Sequence, residues 1–123
     1  MSTPREVFER LSDGIGSGDW SGLHLLYAED AKVTIPFMMP AAVRIHGREE
    51  VREHFARFDG QISLEPRDVR VYETTDPELI VVEFDYAVGD RVLPNIQVLR
   101  VRDGLIVETH DYHHHAALAE MMS

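Results

Sequence analysis

Residues 78–115 read ELIVVEFDYAVGDRVLPNIQVLRVRDGLIVETHDYHHH. Apolar and polar side chains alternate through most of this stretch, and β-branched residues are frequent, a pattern typical of β-strands. Gly89-Asp90 and Asp103-Gly104 interrupt the pattern, and an Asp-Gly pair between apolar runs is a strong signal for a hairpin turn. We therefore predict three consecutive strands: Glu78–Val88, Val92–Arg102 and Leu105–His115.

The sequence before this stretch predicts another long strand, Ser63–Thr74, and three helices. The first helix begins after Ser2 or Thr3, with Pro4 in its first turn. A second is expected after Asp19, with an apolar face formed by Trp20, Leu23, Leu26 and Tyr27. The remaining predictions are a short strand (Lys32–Phe37), an apolar loop (Met38–Ala42), a third helix (Arg48–Phe58) and a frayed tail (Ala116–Met122).

Helices grouped before strands indicate an α+β fold rather than a parallel α/β fold. The chain has 123 residues, which suits one domain, residues 1–123, without room for a second core. We expect the helices to close over a strongly curved antiparallel sheet and to leave a small-molecule pocket between them.

The composition excludes several classes of function. The net charge is −10 and the twelve basic residues are scattered, which argues against nucleic-acid and anionic-membrane partners. The chain has no cysteine, so thiolate metal sites and cysteine nucleophiles are excluded. No signal peptide or transmembrane stretch is recognisable, and a soluble cytoplasmic protein is expected.

Side chains two residues apart on a strand lie on the same face of the sheet. One face of the last three predicted strands therefore carries a mixture of apolar and polar side chains. If that face is concave, its polar groups are buried and need partners, which a structure avoids unless they serve a ligand. Strand parity alone leaves open which face is concave.

Several short motifs carry a family resemblance. Residues 26–31 (LYAEDA), 45–51 (IHGREEV) and 101–106 (VRDGLI), followed by Asp111-Tyr112, resemble in order and spacing the nuclear-transport-factor-2-like superfamily. Within it the chain is most similar to the SnoaL-like polyketide cyclases and the ketosteroid isomerases. The resemblance implies a cone-shaped α+β barrel with a pocket, often homodimeric through the outer face of its sheet. It also implies that the concave face carries Val82, Phe84, Tyr86, Asn95, Gln97, Thr109, Asp111 and His113.

The residues that ketosteroid isomerases use are absent from this chain. Their proton-shuttling aspartate falls at Ile35, their oxyanion-hole tyrosine near Leu11, and their protonated aspartate at Gln97. Steroid-type isomerisation by that mechanism is therefore not expected.

The phenazine-biosynthesis A/B proteins are a better local match, around residues 71–77 (VYETTDP) and the pair Val82-Glu83. Their pocket histidine falls at His54 and their acidic pocket residue at Asp111. This chain is shorter and lacks their long insertion before the third strand, so the resemblance does not extend to their substrate.

The leading hypothesis is a cofactor-independent acid/base enzyme, a cyclase or isomerase acting on a small hydrophobic carbonyl compound. Asp111 would shuttle the proton, with His54 or His113 as its partner, because a buried carboxyl beside an imidazole suits proton transfer near neutral pH. Gln97 and Asn95 could donate hydrogen bonds to the carbonyl oxygen. The predicted apolar lining of the substrate pocket is Val82, Phe84, Tyr86, Phe55, Met38 and Trp20, and Phe8 and Met39 are expected either in the core or in the pocket wall.

Three alternatives stay open. The chain could be a non-catalytic protein that holds a hydrophobic ligand. His113 and His115 could form a metal site with Asp111, although no metal or cofactor is expected. An epoxide hydrolase would need an Asp-Arg-Asp cluster, and Arg100 and Arg102 are predicted on the wrong face of the sheet for one.

Overall fold

A computed structural model of the chain describes residues 2–38 and 40–122. The elements are α1 (Pro4–Ser17), a 3₁₀ turn (Leu23–Leu26), β1 (Tyr27–Ile35), β2 (Val43–His46), α2 (Arg48–Ala56), β3 (Glu65–Glu73), β4 (Leu79–Val88), β5 (Arg91–Arg102), β6 (Leu105–His113) and α3 (His115–Met122). The α+β class is confirmed: α1 and α2 pack against a curled, mostly antiparallel sheet.

The six strands form one sheet in the order β2-β1-β6-β5-β4-β3. Strand β1 runs parallel to β6, for example at the pair Val33 and Thr109. The other described neighbours are antiparallel. The predicted hairpin between β5 and β6 is confirmed, and Asp103 and Gly104 both have positive φ angles, 53° and 78°, as a type I′ turn requires.

Helix α1 begins where the sequence predicts, and Thr3 rather than Ser2 is its N-cap. The Thr3 hydroxyl accepts a hydrogen bond from the backbone N–H of Glu6, and the Glu6 side chain accepts one from the Thr3 N–H. This reciprocal capping box satisfies two N–H groups that the helix cannot satisfy internally. The buried face of α1 packs over β3, β4 and β5.

The predicted second helix is wrong. Residues 23–26 form only a 3₁₀ turn, and Tyr27 already begins β1. Asp19 turns the chain locally, since its carboxylate accepts hydrogen bonds from the backbone N–H and the hydroxyl of Ser21. The apolar spacing arises because Trp20, Leu23 and Tyr27 reach one core from three different backbone conformations.

Other elements also differ from their predictions. Strand β2 was not predicted, because it is a four-residue edge strand whose alternation is too short to recognise. Strand β1 starts at Tyr27 rather than Lys32 and ends before Pro36. The expected frayed tail contains the helix α3.

The predicted parity of the concave face is confirmed by burial. Ile80, Val82 and Phe84 on β4 are buried, as are the β5 residues Asn95, Gln97 and Leu99. Among the described residues, no helix is both long enough and apolar enough to span a lipid bilayer.

Candidate functional site

A cavity of about 110 Å³ lies between the helices and the concave face of the sheet. Most of its lining is aliphatic or aromatic, and the polar groups come from α2, β1, β4, β5 and β6. The predicted site residues that border it are Trp20, Met38, His54, Phe55, Phe84, Tyr86, Asn95, Gln97, Asp111 and His113. Val82 and Phe8 are instead buried in the core, and Met39 lies outside the described residues.

Asp111 is the acidic group of this cavity. It lies opposite Gln97 in the β5–β6 pair, and the Gln97 Nε2 donates a 2.7 Å hydrogen bond to its Oδ1. Burial raises the pKa of Asp111 from 3.8 to about 6, while Gln97 and, to a lesser extent, Thr109 favour the charged form and lower the pKa. The carboxyl group is thus enclosed by protein but remains accessible from the cavity that it borders.

Two tyrosine hydroxyl groups share this electrostatic environment. Burial raises the pKa of both Tyr27 and Tyr86, and the nearby charge of Asp111 raises them further. Both phenols border the cavity and stay protonated at neutral pH, so they can donate hydrogen bonds to a ligand oxygen.

Asn95 has an unusual hydrogen-bonding state. The residue is 6% exposed, and its Nδ2 donates to the Leu93 carbonyl oxygen on its own strand at 2.7 Å. Its Oδ1 is buried and has no hydrogen-bond partner among the residues that the structure describes. A buried carbonyl oxygen without a partner costs about 1–3 kcal/mol, which a bound donor could recover.

The two candidate histidines lie on different walls. His54 is in the last turn of α2 and packs edge-to-face on Phe58, with 5.4 Å between the ring centroids. His113 ends β6 opposite Asn95 and also borders two neighbouring surface cavities. The cavity therefore brings together Asp111, His54 and His113, while the hydrogen bond described at the Asp111 carboxylate comes from Gln97.

The aromatic wall is rigid because its rings pack on one another. Phe55 contacts both Trp20 and Tyr27, with centroid distances of 5.8 and 6.0 Å. The Trp20 indole N–H is already used, since it donates to the Ile15 carbonyl oxygen at 3.0 Å. Trp20 can therefore offer a ligand its apolar surface but no hydrogen bond.

Sequence reasoning missed Tyr27 because it assigned this residue to a helix. A period of two, counted backwards from Ile35 through Val33 and Ala31, reaches Tyr27 only across the exposed Glu29, where the pairing of β1 with β6 shifts register, so its place on the strand had no clear signal in the sequence. Phe58, Ile62 and Leu64 also border the cavity. Ile62 and Leu64 follow α2 in a loop, where neither helical nor strand periodicity indicates a direction.

The alternatives left by the sequence have different outcomes. Arg100 forms an ion pair with Asp76 at 2.6 Å, and Arg102 forms one with Glu78 at 2.9 Å. Both arginines therefore bind carboxylates on the surface, whereas an epoxide hydrolase would need an arginine between two aspartates inside the cavity. The His115 side chain lies outside the described part of the structure. Elsewhere in the described chain, no group of three acidic or histidine side chains is arranged for a metal ion.

Comparison with known proteins gives consistent matches. Residues 8–109 match the SnoaL-like domain. An uncharacterised PhzA/B-like protein of Pseudomonas aeruginosa is 31% identical over 103 residues, which cover 78% of this chain and 73% of that protein.

Solved structures share the whole architecture at lower identity. A candidate isomerase from Bacillus subtilis has a TM-score of 0.82 at 23% identity, covering 98% of this chain and 94% of that one. A phenazine biosynthesis-related protein from Pseudomonas aeruginosa has a TM-score of 0.73 at 17% identity, with coverages of 98% and 82%. A ketosteroid isomerase-like protein from Catenulispora acidiphila, solved with trimethylamine, has a TM-score of 0.69 at 19% identity, with coverages of 90% and 86%. These similarities establish the fold.

Proposed function

The chain belongs to the SnoaL-like domain family, and we propose that it is a cofactor-independent acid/base enzyme that isomerises or cyclises a small hydrophobic carbonyl compound. One observation carries the proposal: Asp111, a carboxyl group with a pKa of about 6, borders an aromatic cavity. A general base is most effective when its pKa lies near the working pH. At neutral pH this carboxylate is mostly ionised, yet it is more basic than an exposed aspartate.

In the proposed reaction Asp111 removes a proton from the carbon beside the substrate carbonyl. The C–H electron pair moves into the new C=C bond of an enolate, and the carbonyl π electrons move to its oxygen. When the substrate has a C=C bond between its β- and γ-carbons, the enolate is a dienolate, and the protonated Asp111 returns the proton to the γ-carbon. The double bond then lies between the α- and β-carbons, which completes an isomerisation. In a cyclisation, the enolate carbon instead attacks a second carbonyl group of the same molecule and Asp111 protonates the resulting alkoxide.

Tyr27 and Tyr86 are the donors that we assign to the developing enolate oxygen. Their hydroxyl groups lie in the field of Asp111 and remain protonated, and preorganised donors in a dry site stabilise developing negative charge. The amide of Gln97 orients Asp111 through the 2.7 Å hydrogen bond, and its second N–H remains for the substrate. His54 and His113 also border the cavity, and we assign them to substrate positioning or proton transfer.

Deuterium exchange tests this proposal without knowledge of the natural substrate. Small ketones are incubated with the protein in D₂O, and exchange of the proton beside the carbonyl is followed by NMR. We expect wild type to accelerate exchange and Asp111→Asn to lose about 10²-fold or more, the usual contribution of a positioned base. The matched control is Asp85→Asn on the outer face of β4, which should behave as wild type. Exchange that is equally fast with Asp111→Asn, or no exchange by wild type for any ketone that binds, would exclude the role.

The second candidate is a binding protein without catalysis. It is supported by the mainly apolar lining of the cavity, and the Catenulispora acidiphila relative shows that a protein of this fold holds a small molecule, trimethylamine. Ligand binding by wild type without deuterium exchange would favour this candidate.

We further propose that the chain forms a homodimer through the outer face of its sheet. Tyr72, Ile96 and Tyr112 form an outer patch of exposed large side chains on β3, β5 and β6. Exposed apolar patches of this kind are typical of protein interfaces.

A further inference from the structure

We propose that the substrate carries a hydroxyl group at the end opposite its reacting carbonyl carbon, and that Asn95 Oδ1 accepts its hydrogen bond. The substrate class is then a compact hydroxylated ketone or aldehyde of about one ring. This inference rests on the proposed function for the carbonyl, and on the unpartnered oxygen of Asn95 for the hydroxyl.

The orientation of the Asn95 amide is fixed by its own strand. Its Nδ2 lies 2.7 Å from the Leu93 carbonyl oxygen, and a rotated amide would bring two oxygens, both hydrogen-bond acceptors, to this distance. The Oδ1 is therefore the atom that lacks a partner, in a residue more than nine-tenths buried that borders the cavity. This oxygen can therefore accept a hydrogen bond from a ligand in the cavity.

The register of the sheet sets the spacing between the two ends of the ligand. Asn95 and Gln97 lie on the same face of β5, opposite His113 and Asp111 respectively. Two residues of a strand span about 7 Å, so the Asn95 oxygen, which would accept the hydrogen bond from the ligand, lies about that far along the wall from the Asp111 carboxyl group. A six-membered ring with substituents at opposite ends bridges such a distance.

The size of the cavity sets an upper limit on the ligand. Its volume of about 110 Å³ is somewhat below the roughly 150 Å³ of an apolar protein cavity that binds benzene. At this volume the cavity accepts at most one small ring or an equivalent short chain, with a substituent reaching into its mouth, and a steroid or another fused tricycle does not fit this conformation.

A neutral hydroxyl group suits Asn95 better than an ammonium group. An ammonium has three donors and loses much hydration energy on burial, whereas Asn95 offers one neutral oxygen. A hydroxyl needs one acceptor and leaves its own oxygen free to face the mouth of the cavity, where His113 lies.

The test compares 4-hydroxycyclohexanone with 4-methylcyclohexanone, which differ by one hydroxyl in place of a methyl group. Dissociation constants are measured by NMR titration for wild type and for Asn95→Leu, which removes the acceptor at similar volume. We expect wild type to bind the hydroxy compound more tightly, and the ratio of the two Kd values to change by about tenfold or more in Asn95→Leu. Ser12→Ala, which removes a buried polar side chain outside the cavity, should keep the wild-type ratio.

Asp111→Asn separates this inference from the proposed function, because binding does not require proton transfer. If Asp111→Asn loses exchange but keeps the preference for the hydroxy compound, both ideas stand. If wild type shows the preference but no exchange, the hydroxyl site stands and catalysis fails.

An equal affinity of wild type for the two ketones, or the same ratio of Kd values in Asn95→Leu, would overturn the inference and leave a water molecule as the partner of Asn95. Should Asn95→Leu fail to fold, the side-chain amide resonances of wild-type Asn95 decide. They should shift with the hydroxy compound and stay in place with the methyl compound.

Discussion

Asp111 makes the folded state sensitive to pH. Its pKa in the folded protein is about 6, above the 3.8 of the free side chain, so between these values the folded state binds more protons than the unfolded state. The free energy of unfolding must therefore fall as pH rises through this window. The stability that protonated Asp111 contributes to the folded state is fully present below about pH 3.8 and is lost above about pH 6.

We predict that Asp111→Asn is more stable than wild type at pH 7.5, by at most about 3 kcal/mol. The reason is that the neutral amide avoids the desolvation of an ionised carboxylate. Urea denaturation at pH 4.5 and pH 7.5 measures the effect. The stability difference between the two proteins should shrink at pH 4.5, and a pH-independent difference would show that the carboxyl group titrates normally.

A second prediction concerns Gln97. Its hydrogen bond favours the ionised form of Asp111, so Gln97→Leu should raise the pKa of Asp111 further and move the acidic limb of deuterium exchange to higher pH. Carboxyl ¹³C NMR measures the pKa directly. A lower pKa in Gln97→Leu would contradict this account.

At the scale of elements, the first turn of α1 is stabilised by the side chain of its N-cap residue, Thr3. We predict that Thr3→Ala costs about 1 kcal/mol of unfolding free energy. The variant loses the hydroxyl that accepts the hydrogen bond from the Glu6 N–H, while the Thr3 backbone N–H can still donate to the Glu6 side chain. Ser2→Ala, next to it, should cost much less since Ser2 is not the N-cap. Thermal or urea denaturation of the two variants provides the comparison, and equal losses would show that the cap contributes nothing.

Local chemistry was sufficient to predict elements with a repeating signal. The alternation of β4 and β5 predicted correctly which residues share a face, the family resemblance indicated which of the two faces is concave, and Asp103-Gly104 predicted the correct turn. The helix predicted for the Trp20–Tyr27 segment was wrong because long-range contacts determine the path of the chain there. For example, the Trp20 backbone N–H donates a 2.7 Å hydrogen bond to the carboxylate of Asp59, which is thirty-nine residues away in the sequence. Close packing reinforces that path, since a Cβ on Gly14 would lie 2.3 Å from the Leu23 side chain.

The candidate site was only partly predictable for the same reason. Asp111, Gln97 and Asn95 could be found because strand parity places them on one face. The Gln97–Asp111 hydrogen bond and the unpartnered Asn95 oxygen could not, because both depend on register and on side-chain conformation that a single strand does not specify. Tyr27 was missed because β1 pairs with a strand at the far end of the sequence.

At the scale of the whole molecule, the outer patch connects the proposed dimer with the cavity. Ile96 is 43% exposed and Tyr112 is 37% exposed, yet both also border the cavity. We predict that Ile96→Glu dissociates the homodimer, because a buried unpaired charge at an interface is strongly unfavourable.

Light scattering at several concentrations checks this prediction. Arg10→Glu, a charge reversal at an exposed position of α1 on the opposite side of the sheet, serves as the control and should remain dimeric. A wild-type protein that is monomeric at every concentration would contradict the proposed dimer.

The parallel pairing of β1 with β6 has a consequence for the order in which the protein is made. Strand β1 leaves the ribosome before its partner β6, because β2, α2, β3, β4 and β5 lie between them in the sequence, and closing so long a loop is slow. Until β6 is made, the edge of β1 that will pair with it is unpaired, which makes the nascent chain prone to association. Asp111 lies on β6, so the binding site cannot form before that strand has been synthesised.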